Sequence, residues 1–83
     1  MDHEREVELA RSLLSGSIDA FEPFVSHFRQ KVFRYSWLMC GQREDAEEVA
    51  QETMLRVFQY LDQLRDPEHV RSWVFRIAKT CAS

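Results

Sequence analysis

The stretch Asp45-Ala-Glu-Glu-Val-Ala-Gln-Glu-Thr-Met-Leu-Arg-Val-Phe58 carries two patterns at once. Ala46, Val49, Ala50, Thr53, Val57 and Leu61 recur at steps of three and four residues, which on a helix makes one apolar stripe facing a core. Glu44, Glu47, Glu48, Gln51 and Glu52 occupy the other side, with no basic residue from Glu44 through Leu55. Acids in a first turn suit the positive end of the helix dipole by a few tenths of a kcal/mol each, so a solvated helix start accounts for part of this face. Met54 and Leu55 add two uncharged, sizeable side chains on its flank. An acidic face with an apolar edge suits docking of a basic partner helix.

Downstream of this helix, which is expected to run from about Asp45 to Gln63, comes the short turn Leu64-Arg-Asp-Pro-Glu68. Pro67 restricts Asp66 to extended backbone and fits the first turn of a further helix, Glu68 to about Cys81. On that helix Val70, Trp73, Val74, Ile77 and Cys81 share the inward face. Arg71, Phe75, Arg76, Lys79 and Thr80 point outward or flank it.

Upstream, two more helices are expected. Val7, Ala10, Leu13 and Leu14 form one face of a short helix over Glu4–Leu14, with Asp2 and Glu4 suited to its start. Ser15-Gly16-Ser17 ends it, with Gly16 left-handed and Ser17 capping the next helix. From Ile18 to about Cys40, Phe21, Phe24, Val25, Phe28, Val32, Tyr35 and Met39 make an aromatic-rich core stripe. Pro23 lies one turn inside, so either the helix opens tightly around it or its regular part begins nearer Phe21. Gly41 closes this helix. The fold class is therefore all-α, a compact bundle of about four helices, and no stretch alternates at period two.

Composition removes several classes of function. A chain of 83 residues builds one small core. At 45% hydrophobic and 30% charged, with two Gly and two Pro, it is too apolar for disorder. No apolar run approaches the roughly 20 residues that span a bilayer, and the acidic start is unlike a signal peptide, so no membrane association and a cytoplasmic location are expected. Cys40 and Cys81 lack the spacing of a metal site, and His3, His27 and His69 are scattered, so no metal or cofactor is expected. No nucleophile-base pair or Gly-rich phosphate loop is visible either, which speaks against an enzyme.

The net charge of −3 hides a gradient: Met1–Leu64 carries −5 and Arg65–Ser83 carries +2. Such segregation lets one end meet a polyanion while another meets a basic partner. Four basic residues at the C-terminal end are a weak phosphate footprint, so unaided binding to nucleic acid should be feeble.

The string Asp45–Val57, with Leu61-Asp-Gln-Leu-Arg65 and Ser72-Trp-Val-Phe-Arg-Ile-Ala78, resembles region two of bacterial sigma factors of the extracytoplasmic-function group. Their recurrent signatures are D-A-E-D/E-x-x-Q-E-x-F/M and W-L-x-R-I-A. Gly16-x-x-x-Ala20-Phe21-Glu and the Tyr35 helix extend the likeness over about Val7–Thr80. The resemblance implies a helical bundle with no catalytic residues. It implies that Asp45, Glu48, Gln51, Glu52 and Leu55 grip the clamp helices of the largest RNA polymerase subunit. It further implies that Arg56, Tyr60, Leu64, Arg65, Asp66, Phe75, Arg76 and Thr80 line a pocket for a base of the single-stranded non-template strand at the minus-ten promoter element. Arg71 and Lys79 would meet phosphates, which position rather than specify. An anti-sigma factor is a further implied partner. A second, helix-turn-helix domain would come next in the family, and the chain reads as a fragment of such a factor.

Two departures fall in the implied base pocket. Leu64-Arg65-Asp66-Pro67-Glu68 stands where the family commonly has F-R-G-D/E-S, and Phe75 and Thr80 stand where it often has tyrosine and asparagine. Trp73 is followed by Val74 rather than a second tryptophan, which favours a core role for it. Two other readings remain: a helical adaptor that binds protein only, and a helix-turn-helix reader of duplex DNA with the fourth helix in the major groove.

Overall fold

A computed structural model describes residues 2–82. It holds four α-helices: α1 (Asp2–Leu14), α2 (Phe21–Cys40), α3 (Arg43–Gln59) and α4 (Val70–Ala82), with no strand among the described residues. Three 3₁₀ turns, Ile18–Ala20, Leu61–Gln63 and Pro67–His69, join them. The all-α bundle expected from the sequence is the fold observed.

Two glycines set the chain reversals. Gly16 follows α1 at φ +87°, and Gly41 follows α2 at φ +72°, where its amide donates to the Trp37 carbonyl at 2.8 Å. Left-handed backbone at these helix ends is what glycine supplies at low cost. Ser17 takes the expected capping position, but of a 3₁₀ turn, and its side chain makes no capping hydrogen bond. α2 starts at Phe21, so Pro23 lies in its first turn, where no intrahelical amide bond is lost. α3 is shorter than expected; it ends at Gln59, and Leu61–Gln63 tightens into the 3₁₀ turn instead.

α2 and α3 form an antiparallel hairpin, α4 packs along α3, and α1 lies across α2 and the start of α4. Phe24, Phe28 and Val32 of α2, Ala46, Ala50 and Val57 of α3, and Val70, Val74 and Ala78 of α4 are essentially removed from solvent. Thr53 sits in the α3 stripe as expected, its hydroxyl donating to the Val49 carbonyl at 2.6 Å, which satisfies a buried polar group. Trp73 is 9% exposed and belongs to this core.

Six positions depart from the helical patterns. Met54, expected on the acidic flank, is buried, because it lies four residues from Ala50 and three from Val57 on the core side. Phe21 and Met39, expected in the α2 stripe, are exposed, and Ser36 takes the inward place one turn beyond Val32. Leu14 is exposed while Leu9 is buried, which turns the α1 face by part of a turn. Phe21 is nevertheless not idle: it stacks on Phe58 with ring centroids 4.5 Å apart and closes the α2–α3 hairpin at its open end.

Candidate nucleic-acid and protein interface

The exposed surface of α3 is predominantly acidic, whereas Lys31, Arg34 and Arg71 line a groove elsewhere on the bundle. On α3, Asp45, Glu48, Gln51, Glu52 and Leu55 are all solvent-exposed. Leu55, at 61%, is the apolar edge of that face, a part it holds alone now that Met54 is inward. The acids are partly neutralised by neighbours one turn away: the Arg43 Nε donates to Glu47 at 3.2 Å, and the Arg56 Nε donates to Glu52 at 3.3 Å. Exposed pairs of this kind contribute only a few tenths of a kcal/mol and yield readily to a better partner.

Between α3 and α4 the turn is pinned at both ends. Leu64 and Val70 are buried, so the segment between them is a short arch with two apolar feet. Asp66 has φ −124° and ψ 113°, the extended backbone expected before a proline, and its Oδ1 accepts from the Glu68 amide at 3.0 Å. The Glu68 carboxylate also lies 3.2 Å from His3 of α1. Arg65 and Asp66 remain exposed in the arch, and Tyr60, just after α3, is 40% exposed.

The residues expected to line a base pocket, and Arg71 and Lys79 expected to meet phosphates, divide among several places. Leu64 is in the core and supports the arch from beneath. Arg56 and Thr80 line an open depression together with Asp45, Glu48 and Glu52, on the acidic side. Arg71 and Phe75 line a different groove, whose opposite wall is α2. Arg76 and Lys79 are exposed on α4.

That groove contains residues the sequence reading passed over. Its α2 wall presents His27, Gln30, Lys31, Arg34 and Tyr35. Tyr35 meets Phe75 edge to face, centroids 5.4 Å apart and planes at 74°, which joins the two walls. Lys31 donates to Asp2 at 2.8 Å, and that hydrogen bond, then the lysine charge, holds the Asp2 carboxyl below its ordinary range. Assigning Tyr35 wholly to the core stripe hid this wall. A clue was present in the alternation of Lys31 and Arg34 with aromatics on either side.

Arg71 is committed to more than one task. It donates twice to the Glu6 carboxylate, which is 1% exposed, and His27 reaches the same carboxylate from α2 at 2.8 Å. Three helices are thereby tied at one buried charge. Among the described residues no group of three His, Cys, Asp or Glu side chains could hold a metal ion, and no helix is long and apolar enough to cross a membrane.

The all-α bundle agrees with the comparison with known proteins, in which the sigma-70 region 2 family matches residues 24–82. The chain belongs to that family. The region 2 match begins at Phe24, within the first turn of α2, and takes in the hairpin, the arch and α4. Among curated proteins the chain is 28% identical over 68 residues to the extracytoplasmic-function RNA polymerase sigma factor SigW of Bacillus subtilis (strain 168). That alignment covers 82% of this chain and 36% of the relative, so the chain spans about a third of that protein's length. No solved structure matches the chain.

Proposed function

We propose that this region 2 domain acts in transcription initiation, holding RNA polymerase with α3 while α4 and its arch engage melted promoter DNA. The placement of charge carries this reading: five exposed residues of α3 form an acidic surface with an apolar edge, while a groove lined by Lys31, Arg34, Tyr35, Arg71 and Phe75, with Asp2 as its one acid, opens between α2 and α4. The first surface complements a basic helical partner such as the polymerase clamp helices; the second complements a single strand.

The DNA side has three parts. Tyr60, Arg65 and Asp66 meet a flipped base of the non-template strand at the arch. Arg76 and Lys79 neutralise phosphates along α4. Phe75 and Tyr35 offer ring faces and edges beside Lys31 and Arg34, the combination by which single strands are held with little sequence preference. Unstacking a base costs a few kcal/mol, and the polymerase contact together with the phosphates supplies the compensation. Arg71 contributes by holding α4 against α1 and α2, and Leu64 by setting the height of the arch. An anti-sigma factor would act by covering either surface.

A fluorescent single strand carrying a minus-ten sequence tests the DNA side, titrated with the domain in the presence of polymerase core. Arg76→Ala should weaken binding about tenfold while helical circular dichroism stays unchanged, since loss of one charged contact is of the order of 1.4 kcal/mol. A stronger preference for the duplex over the single strand would overturn the reading in favour of a duplex reader.

A further inference from the structure

Cys40 ends α2 one residue before the left-handed Gly41, and Cys81 stands in the last turn of α4. Distant in sequence, the two thiols line the same depression, with Asp45, Glu48, Val49 and Glu52 around them. Both are free; Cys40 is exposed, and Cys81 is half-buried against the core. The antiparallel α2–α3 hairpin and the return of α4 along α3 put both helix ends beside the first turns of α3. The pairing is thus a product of the topology.

The carboxylates give this pair a chemical preference. Asp45, Glu48 and Glu52 face the depression against one arginine, Arg56, which is already bonded to Glu52. Such a site concentrates cationic reagents and repels anionic ones. We propose that Cys40 and Cys81 form a redox-active dithiol, oxidised to an intramolecular disulfide by small cationic disulfides.

The chemistry is thiol–disulfide exchange. Cys40, the accessible thiol, loses its proton and attacks one sulfur of the small disulfide. The S–S bond of the reagent breaks, a mixed disulfide forms on Cys40, and one half of the reagent leaves as a thiolate that takes up the proton. Cys81 then loses its proton and attacks the Cys40 sulfur, expelling the second half. Two protein thiols are oxidised and one small disulfide is reduced to two small thiols. The second step should outpace capture of another reagent molecule because both thiols line one depression, which makes the attack intramolecular. The bond would clasp the ends of α2 and α4 across the acidic face of α3.

The test uses the folded chain with cystamine, a dicationic disulfide, and oxidised glutathione, an anionic one, followed by intact-mass measurement and peptide mapping. Wild type should end as one Cys40–Cys81 linked species with no adduct retained. Cys40→Ser and Cys81→Ser should each keep a single adduct. At low salt cystamine should react about tenfold faster than oxidised glutathione, and the gap should narrow at high salt. Two retained adducts on folded wild type, a cross-link that appears only in urea, or equal rates for the two reagents would overturn the proposal. The readout is chemical and stands whether or not the acidic face binds polymerase.

Discussion

Glu6 and Arg71 lie 65 residues apart in sequence and meet in a two-pronged ion pair, Nε to Oε1 at 3.0 Å and Nη2 to Oε2 at 3.0 Å. The partners are unequally placed: the Glu6 side chain is 1% exposed and that of Arg71 is 51%. Removing Arg71 therefore strands a buried carboxylate with only His27, whereas removing Glu6 leaves an arginine that can turn to water.

The expected outcome is asymmetric. Arg71→Ala should cost about 3 kcal/mol in urea unfolding, whereas Glu6→Gln, which keeps the shape and some of the hydrogen bonds, should cost about 1 kcal/mol. The double variant Glu6→Leu/Arg71→Met should be more stable than Arg71→Ala alone, since no charge is then left buried. Equal losses for Arg71→Ala and Glu6→Gln would show that the burial of the carboxylate is not what matters. The practical consequence is that Arg71→Ala is a poor probe of DNA binding, and Arg76→Ala a clean one.

Ser36 sits at 0% exposure on α2, with no hydrogen-bond partner for its Oγ among the described residues. Ser36→Ala removes a desolvated hydroxyl and improves helix propensity, so it should stabilise the domain by about 0.5–1 kcal/mol. A thermal midpoint below wild type would mean that the hydroxyl has a partner after all.

Trp73→Ala should cost about 3–5 kcal/mol, the usual loss for a large buried aromatic. Its 9% exposure places it in the core rather than at a DNA-melting surface. Chemical denaturation measures this directly, and an unchanged midpoint would place the ring outside the core.

Asp2 gives a pH prediction with a definite sign. Its carboxyl is held below the ordinary carboxylate range by the hydrogen bond and then the charge of Lys31. A carboxyl with a lowered folded value adds stability above its ordinary pKa, and that stability disappears as pH falls through the lowered value. Lys31→Met should move the Asp2 titration, followed by NMR of its side-chain carbon, back up toward the ordinary range. A midpoint unmoved by the substitution would show that the pair does not persist in solution.

Much of the fold was legible because it is written in local rules. Gly16 and Gly41 stop helices where a left-handed residue is needed, Pro67 fixes Asp66 as extended, and the three- and four-residue steps of α3 name all its core residues but Met54. What escaped was non-local. Glu6 reads as one more surface acid in Glu4-Arg-Glu-Val-Glu, because nothing near it in sequence announces His27 and Arg71. Tyr35 and Met39 continue an apolar rhythm that Ser36 in fact completes, since α2 outruns the core at its C-terminal end. The implied DNA residues were matched one at a time to a motif. Their division among the core, the acidic depression and the α2–α4 groove is set by helix packing, which a motif does not encode.

Docking of RNA polymerase on the exposed face of α3, as proposed, is read out by binding of this domain to the isolated clamp helices. Wild type should form a specific complex, and Gln51→Ala/Glu52→Ala should lose most of its affinity while staying folded, because both side chains are exposed on α3 and neither supports the core. Equal binding by the two, or none by a folded wild type, would remove α3 as the polymerase contact and leave the domain as a protein adaptor on the same fold.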